Sequence, residues 1–307
     1  MSDTGGKTAF LFPGQGAQFV GMGKELYAEL PAARELFDRA GEILGFDLKQ
    51  ICFEGPAEAL EATDVSQPAI LVASLAALES LKATQPEVVA GVSGAAGLSL
   101  GEYTALVLAG AMDFETALKV VRQRGRLMQE AAVASPSGMS SILGLDEAKV
   151  DEVLAKVAPT GRLWKANMLG PGNIVVSGEK RALAVLEAPA LEAGAMKVIP
   201  LAVAGAFHSP LMKPADEKLG EVLAAAAMVE PRMPVYANVD TSIHTTPDAI
   251  RSRLVNQVTG GVLWEGCIRR MLAEGYTRFY EIGPGRVLTG LLKRIDRKVP
   301  CETIPAR

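Results

Sequence analysis

The chain has 307 residues, of which 49% are hydrophobic, 21% charged and only 5% aromatic, a composition typical of a globular protein with an aliphatic core. The formal net charge of −4 and the lack of a long basic run argue against general nucleic-acid binding, because Lys and Arg must neutralise phosphates. We expect no membrane span, since the best apolar run, at 69–78, is too short to cross a bilayer. We expect no signal peptide either, since residues 1–7 are polar and no apolar core follows a basic start. The three cysteines lack metal-ligand spacing, which favours a reducing, cytoplasmic location.

The first elements in chain order are a strand, a loop and two helical stretches. Residues 8–12 predict a short buried strand, and Pro13-Gly14-Gln15-Gly16 ends it in a loop whose glycines let backbone N–H groups approach a ligand. Residues 23–44 predict a helix with a break near Pro31. A further helix is predicted from Pro68, a favoured first helical residue, to Lys82, because apolar residues recur there at helical spacing.

Residues 97–102, Gly-Leu-Ser-Leu-Gly-Glu, fit the G-x-S-x-G pattern of a nucleophile elbow. In such an elbow a serine occupies a strained turn between a strand and a helix. The apolar segment 88–98 predicts the strand, although its glycines and serines are poor strand formers. Residues 102–109 predict the helix, with Glu102 in the first turn, where a negative charge is favourable. Ser99 is therefore a candidate nucleophile, although the same residues could form an ordinary Gly/Ser turn.

The middle of the chain predicts a small inserted subdomain. Asp113 is a suitable cap for a helix over residues 114–132, and Ser-Pro-Ser-Gly at 135–138 resembles a hinge. The following elements are strands at 139–143, 163–167, 174–177 and 196–201, with helices at 147–157 and 180–193. The order β-α-β-β-α-β is that of a ferredoxin-like unit. We therefore predict a subdomain at 135–204 inserted into a discontinuous domain made of 1–134 and 205–307.

The last part of the chain returns to alternating strands and helices. The predicted elements are a strand at 234–238, helices at 247–257 and 265–273, a strand at 278–282, and a Gly-Pro-Gly turn before a final helix. The chain contains only two histidines, so a catalytic histidine must be His208 or His244. His208 lies in a loop between Gly205 and Pro210, whereas His244 has no recognisable context and is expected at the surface.

Several short motifs occur together in a fixed order. They are Phe-Pro-Gly-Gln-Gly-Ala-Gln at 12–18, Gly-Leu-Ser-Leu-Gly-Glu-Tyr at 97–103, Arg-Gly at 124–125, Met-Gln at 128–129, Gly-Ala-Phe-His-Ser at 205–209, Ala-Asn-Val at 237–239 and Glu-Ile-Gly-Pro-Gly at 281–285. This set resembles the malonyl-CoA:acyl carrier protein transacylases of fatty acid synthesis and the related acyltransferase domains of polyketide synthases. The resemblance implies an α/β-hydrolase-like large domain with an inserted ferredoxin-like subdomain, in agreement with the element order.

The resemblance also implies roles for individual residues. Ser99 would be the nucleophile and His208 the base, because a serine hydroxyl attacks a thioester poorly unless a base takes its proton. The backbone N–H groups of Leu100, next after the nucleophile, and of Gln15, by resemblance, would form the oxyanion hole. No acidic residue of a triad is apparent, and the resemblance implies that a carbonyl group near Gln257 orients the histidine instead.

Arg124 is implied to bind the acyl group, since a guanidinium can hold the free carboxylate of a malonyl group with two parallel hydrogen bonds. Arg122 and Arg126 lie on the same predicted helix but about 200° away from Arg124, so at most one of the three faces the pocket. Phe207 resembles a residue linked with selection of malonyl over methylmalonyl. Its ring could crowd a 2-methyl branch, although exclusion of one methyl group by packing is limited to roughly 10- to 200-fold.

Two residues depart from the family pattern, namely Leu98, where a histidine is usual, and Asn173, where glutamine is common. With leucine instead of histidine beside the nucleophile, the sequence alone does not decide which acyl group is preferred. The predicted reaction is malonyl transfer from malonyl-CoA to the phosphopantetheine thiol of an acyl carrier protein through a malonyl-serine ester, by a monomer without a metal or bound redox cofactor. A basic cluster at 293–298 is a possible docking place for the acidic carrier protein.

Three alternatives remain open from the sequence. The first is an acyltransferase of a polyketide-type pathway with another acyl preference, and the second is a serine esterase or thioesterase. The third is a non-catalytic module that docks carrier proteins. An esterase is expected to have an acidic triad residue and no carboxylate-binding arginine.

Overall fold

The computed structural model describes residues 5–307, so the expectation about the N-terminus falls partly on residues 1–4, outside the described residues. Within the described range, nine strands form two separate sheets. The strands are β1 (Lys7–Phe12), β2 (Val92–Gly97), β3 (Ser137–Leu143), β4 (Leu163–Gly170), β5 (Asn173–Glu179), β6 (Lys197–Pro200), β7 (Val235–Tyr236), β8 (Tyr276–Gly283) and β9 (Cys301–Pro305).

Helices cover the parallel sheet and one face of the second sheet. They are α1 (Lys24–Glu29), α2 (Pro31–Leu44), α3 (Leu48–Glu54), α4 (Ala57–Glu61), α5 (Thr63–Thr84), α6 (Pro86–Ala90), α7 (Gly101–Leu108), α8 (Phe114–Ala134), α9 (Glu147–Val157), α10 (Lys180–Leu183), α11 (Glu187–Glu192), α12 (Ala215–Ala225), α13 (Pro247–Thr259), α14 (Trp264–Ala273) and α15 (Val287–Ile295). Among residues 5–307, no helix combines the length and hydropathy that a membrane crossing requires.

The larger sheet has the strand order β7-β2-β1-β8-β9, and all its pairs are parallel. Phe12 at the end of β1 pairs with Gly97 at the end of β2, so the loops that follow these two strands begin side by side. In parallel sheets this carboxyl edge is where ligands bind. The small residues of β2 have a packing reason, because a side chain on Gly94 would overlap the Tyr276 hydroxyl.

The smaller sheet confirms the ferredoxin-like prediction. Its order is β4-β5-β3-β6 with every pair antiparallel, and its helices enclose a separate apolar core. Its strands lie between Ser137 and Pro200, within the predicted limits of 135 and 204. The sheet is tied to the rest of the molecule by Val262, whose N–H donates to Ala166 O at 2.8 Å and whose carbonyl accepts from Met168 N at 2.9 Å.

Two predicted element limits were wrong because of proline. Helix α5 begins at Thr63, upstream of Pro68, which lies inside it. Proline has no N–H for the Asp64 carbonyl four residues earlier, and the Arg122 guanidinium donates to that carbonyl instead. The helix predicted at 180–193 is split into α10 and α11, which leaves Pro189 in the first turn of α11, where a missing N–H is tolerated.

The predicted strand at 88–98 was also too long. Residues 86–90 form the short helix α6, and the strand is confined to Val92–Gly97. Pro86 occupies the first position of that helix, a position that proline favours. The chain therefore enters the sheet only after Gly91.

Two glycines, Gly14 and Gly101, allow the loop after β1 to touch the turn after β2, and Gly97 allows that turn to close tightly on itself. A side chain on Gly14 would overlap the Leu98 carbonyl, one on Gly97 the backbone of Gly101, and one on Gly101 the Phe12 carbonyl. Backbone contact at this distance is possible only without a Cβ. The glycines thus bring the backbones of Gln15 and Leu100 to the same edge of the sheet.

Gly101→Ala is expected to lower the free energy of unfolding by about 1–3 kcal/mol, because the new methyl group must displace the end of β1. Gly290→Ala is the matched control, since Gly290 lies in the exposed part of α15 with nothing within 4 Å of the added Cβ. That change should stabilise the protein by up to about 1 kcal/mol. Urea unfolding of both variants tests the close contact, and similar shifts in the two proteins would contradict it.

Candidate active site

Ser99 occupies the turn between β2 and α7 in a left-handed backbone conformation with φ of 50°. A non-glycine residue in this conformation is strained and needs support from its surroundings. Asn238, fully buried after β7, provides that support: its Oδ1 accepts from the Ser99 N–H at 2.6 Å and its Nδ2 donates to Gly97 O at 2.8 Å. The strained elbow predicted from the sequence is present, and the sequence analysis had assigned no role to Asn238.

The His208 imidazole lies between the Ser99 hydroxyl and a backbone carbonyl. Its Nε2 is 2.8 Å from Ser99 Oγ, and its Nδ1 is 2.7 Å from Gln257 O. A carbonyl oxygen can only accept, so Nδ1 carries the proton and Nε2 presents its lone pair to the serine hydroxyl. The structure therefore brings together the predicted serine, histidine and orienting carbonyl, with no carboxylate in the usual third position.

Burial, and to a smaller extent the nearby positive charge of Arg124, lower the pKa of His208 from its ordinary value of 6.5 to about 4. The hydrogen bond to the Gln257 carbonyl acts in the opposite direction. The imidazole is thus neutral at neutral pH, which is the form that can accept a proton from serine.

Arg124 on α8 is 1% exposed and points at the nucleophile. Its Nη2 donates to Ser99 Oγ at 3.0 Å and to Gln257 Oε1 at 2.8 Å, and its Nη1 donates to Gln67 Oε1 at 2.7 Å. The Tyr103 ring lies 5.4 Å from the guanidinium carbon. Throughout residues 5–307, the hydrogen-bond partners of Arg124 are uncharged oxygens, and its Nε has no partner. The site therefore holds a buried cation without a carboxylate directly bonded to it.

The neighbouring arginines of α8 point away from Ser99, as the helical spacing predicted. Arg122 forms an ion pair with Asp64 at 2.7 Å and lies against the Phe46 ring. Arg126 is exposed and lies 3.8 Å from Glu130 on the same helix. Only Arg124 of the three contacts the nucleophile.

The backbone N–H groups of Gln15 and Leu100 are available at the edge where the two loops meet. The Leu98 N–H donates to Phe12 O at 3.0 Å, which joins the loops, whereas neither Gln15 N nor Leu100 N donates a hydrogen bond to any residue of the described range. Free N–H groups beside a nucleophile can bind the negative oxygen of a tetrahedral intermediate.

The other residues singled out from the sequence have different surroundings. The Phe207 ring is buried in the main apolar core, and its carbonyl accepts from Ser177 Oγ. Leu98 is half-buried against the second core cluster, next to Ser99. Asn173 is part of the small sheet, where its Oδ1 accepts from Ser141 Oγ at 3.0 Å.

The prediction that His244 lies at the surface was wrong. His244 is 2% exposed, and its Nε2 lies 2.7 Å from Glu102 Oε1. The segment that carries it runs beside β7, where His244 N donates to Val235 O and Ile243 bridges to Tyr236. No sequence signal pointed to this pairing, because the burial of Glu102, whose carboxylate requires hydrogen-bond donors, is itself set by the fold.

The sequence matches the acyl transferase domain family over residues 9–304. The chain belongs to the acyl transferase family. It is 46% identical to the malonyl CoA-acyl carrier protein transacylase of Bacillus subtilis (strain 168), over 95% of this chain and 92% of the relative. The family assignment agrees with the motifs that had indicated it.

Solved structures of this acyl transferase family show the same fold. The acyl-carrier-protein S-malonyltransferase of Bartonella henselae has a TM-score of 0.93 and 39% identity, covering 97% of this chain and 95% of that one. A malonyl-transacylase in complex with its type II PKS acyl-carrier protein has a TM-score of 0.92 and 39% identity, with the same coverage of both chains. The large and small units described above are thus shared with known acyl transferases.

The low pKa of His208 is directly measurable, because the chain has only two histidines. In NMR spectra of protein labelled on histidine, the His208 ring should titrate near pH 4, and a His244→Gln variant assigns the two signals. In Arg124→Ala the titration should move to higher pH but remain below 6.5, since burial is the larger cause. A wild-type midpoint near 6.5 would contradict the burial argument.

Proposed function

We propose that this protein transfers a malonyl group from malonyl-CoA to the phosphopantetheine thiol of an acyl carrier protein through an ester on Ser99. The observation that carries the proposal is the buried Arg124, which lies 3.0 Å from Ser99 Oγ and, among residues 5–307, donates only to uncharged oxygens. A carboxylate on the acyl group supplies the missing counter-charge. The names of the relatives, a malonyl CoA-acyl carrier protein transacylase and an acyl-carrier-protein S-malonyltransferase, support the same substrate.

The first half-reaction forms the ester. Ser99 Oγ attacks the thioester carbonyl of malonyl-CoA while its proton moves to His208 Nε2, 2.8 Å away. The N–H groups of Gln15 and Leu100 stabilise the negative oxygen of the tetrahedral intermediate. The C–S bond then breaks, and the leaving CoA sulfur takes the proton from His208.

The second half-reaction reverses these roles with a new thiol. His208 takes the proton of the phosphopantetheine thiol, whose sulfur attacks the malonyl-serine carbonyl. The C–O bond breaks, and Ser99 Oγ recovers the proton from His208. Thioester exchange changes no oxidation state, so the proposal assigns no redox cofactor, and the chain's own groups supply base, oxyanion donors and cation.

Arg124 is proposed to hold the malonyl carboxylate in both half-reactions. Gln67 and Gln257 fix the guanidinium with hydrogen bonds of 2.7 and 2.8 Å, so it does not need to reorganise when the substrate enters. An acyl group held at its far end reacts with the positioned thiol in preference to a randomly oriented water.

The alternatives have less support. A hydrolase with an acidic triad is disfavoured, because a carbonyl of Gln257 orients His208, and a purely docking module does not need an assembled serine–histidine pair. An acyltransferase of a polyketide-type pathway keeps support from the solved complex of a type II PKS carrier protein with its malonyl-transacylase. The chemistry proposed for Ser99 is the same in either pathway.

Three further proposals concern the oligomeric state, the cellular location and the docking of the carrier protein. We propose a monomer, since Ser99, His208, Arg124 and Gln257 all come from one chain, and a cytoplasmic location, on the cysteine usage. The basic cluster of Lys293, Arg294, Arg297 and Lys298 on and after α15 is proposed to attract an acidic carrier protein.

Arg124→Ala should slow acylation of Ser99 by malonyl-CoA by roughly 100-fold or more, because hydrogen bonds to a charged group are lost. Acylation by acetyl-CoA, which has no second carboxylate, should change less than about tenfold on the same grounds. Time-resolved intact-mass measurement of the protein gives both rates. Arg126→Ala, on the same helix but exposed, is the matched control, and Ser99→Ala should take up no label. Equal losses for both acyl groups in Arg124→Ala would contradict the assignment.

Phe207 is proposed to limit the width of the acyl pocket, because it directly precedes His208 and its ring is held in the core. Phe207→Leu keeps the site apolar while removing ring volume. The ratio of methylmalonyl to malonyl acylation should rise by about 10-fold or more, within the limit for one methyl group. An unchanged ratio in competition experiments would restrict Phe207 to a packing role.

A further inference from the structure

Glu102 is a buried carboxylate that takes no part in the proposed chemistry. It lies on the first turn of α7 and is 1% exposed. His244 Nε2 reaches its Oε1 at 2.7 Å, while the Asn238 N–H and Gln257 Nε2 both donate to its Oε2 at 2.9 Å. A buried carboxylate with this many donors stabilises a particular arrangement of its partners.

The partner that matters here is the side-chain amide of Gln257. Its Nε2 has three oxygen atoms around it, namely Glu102 Oε2 at 2.9 Å, Ser99 O at 3.1 Å and Asn238 Oδ1 at 3.3 Å. Ser99 O is a carbonyl oxygen, and Glu102 Oε2 already accepts from the Asn238 N–H, so the NH₂ end of the amide must face them. The amide oxygen of Gln257 is consequently directed to the opposite side, where it accepts from Arg124 Nη2 at 2.8 Å.

Glu102 is the one carboxylate among these three acceptors, and at 2.9 Å its hydrogen bond to the amide is the shortest of the three. Gln257 lies between this carboxylate and the guanidinium of Arg124. The amide thereby links the two opposite charges while keeping them from pairing directly. Arg124 is held in place but remains free to bind the carboxylate of a substrate.

His244 completes the environment of Glu102. The two donors on Oε2 leave Oε1 to the imidazole, which is itself 2% exposed. Loss of this donor would leave a buried carboxylate oxygen without a partner, and the carboxylate would turn to share its other donors. The direction of the Gln257 amide would then no longer be fixed by a stationary acceptor.

We propose that Glu102 and His244 are positioning residues for carboxylate selection, acting through the Gln257 amide on Arg124. The inference rests on the proposed function, because it assigns Arg124 to the malonyl carboxylate. Its specific consequence is that disturbing His244 changes the preference for malonyl over acetyl and does not simply slow both reactions.

The test compares two substitutions of His244 by the rates at which malonyl-CoA and acetyl-CoA acylate Ser99. His244→Leu removes the donor to Glu102 and should lower the malonyl-to-acetyl rate ratio by about tenfold, the loss expected for one hydrogen bond to a charged group. His244→Gln places an amide N–H at nearly the same distance from the backbone and should keep the ratio within about threefold of wild type, because that donor is retained. Should His244→Leu fail to fold, His244→Asn, whose amide is too short to reach Glu102, replaces it.

A second comparison tests the route through Gln257. In a Gln257→Leu background, which has no side-chain amide to orient, His244→Leu should leave the malonyl-to-acetyl ratio unchanged relative to Gln257→Leu alone. If His244→Leu lowers the malonyl-to-acetyl ratio in that background as much as it does in the wild-type protein, the proposed route through Gln257 is overturned.

The remaining outcomes separate this inference from the proposed function. If His244→Leu slows malonyl and acetyl transfer equally, Glu102 and His244 have only a structural role and the inference is overturned. The same follows if His244→Leu and His244→Gln lower the malonyl-to-acetyl rate ratio equally. Failure of malonyl-CoA to acylate wild-type Ser99 would instead overturn the proposed function.

Discussion

A fully buried arginine beside the nucleophile is the constraint on which the rest of the site depends. A charge removed from water is costly unless hydrogen bonds and nearby charges compensate for it. Arg124 receives this compensation from Gln67, Gln257 and Ser99, and from the face of the Tyr103 ring. Each of these residues lies on a different helix or turn, so the cation organises the packing of several elements around the elbow.

Among residues 5–307, Arg124 has no negatively charged hydrogen-bond partner, and this indicates the kind of ligand that the site binds. The partners of Arg124 are neutral oxygens, and burial lowers the pKa of its guanidinium, so a negative ligand stabilises the site. The same positive charge and the same burial keep His208 neutral. One electrostatic environment therefore favours an anionic acyl group and maintains the base in its reactive form.

The parallel sheet places these groups within reach of one another. Ser99 and Gln15 follow the neighbouring strands β2 and β1, Asn238 follows β7, and Gln257 lies on α13. The glycines at 14 and 101 permit the close loop contact and Gly97 permits the tight turn, while Asn238 binds the N–H of the strained Ser99 and the Gly97 carbonyl that precedes it. Rigid strand ends and a clamped turn are suited to a reaction that depends on orientation.

Local sequence determined many of the elements, the inserted ferredoxin-like unit and the motif residues, because hydrophobic period, glycine spacing and helix caps act over a few neighbouring residues. The helical spacing of α8 predicted that at most one of its three arginines faces the pocket, and the family resemblance indicated Arg124. The sequence could not reveal that His244 is buried against Glu102, since the two residues are far apart in the chain and meet only when β7 packs beside β2. The direction of the Gln257 amide likewise depends on three acceptors from distant segments. Contacts of this kind are set by tertiary packing, and only the folded structure decides them.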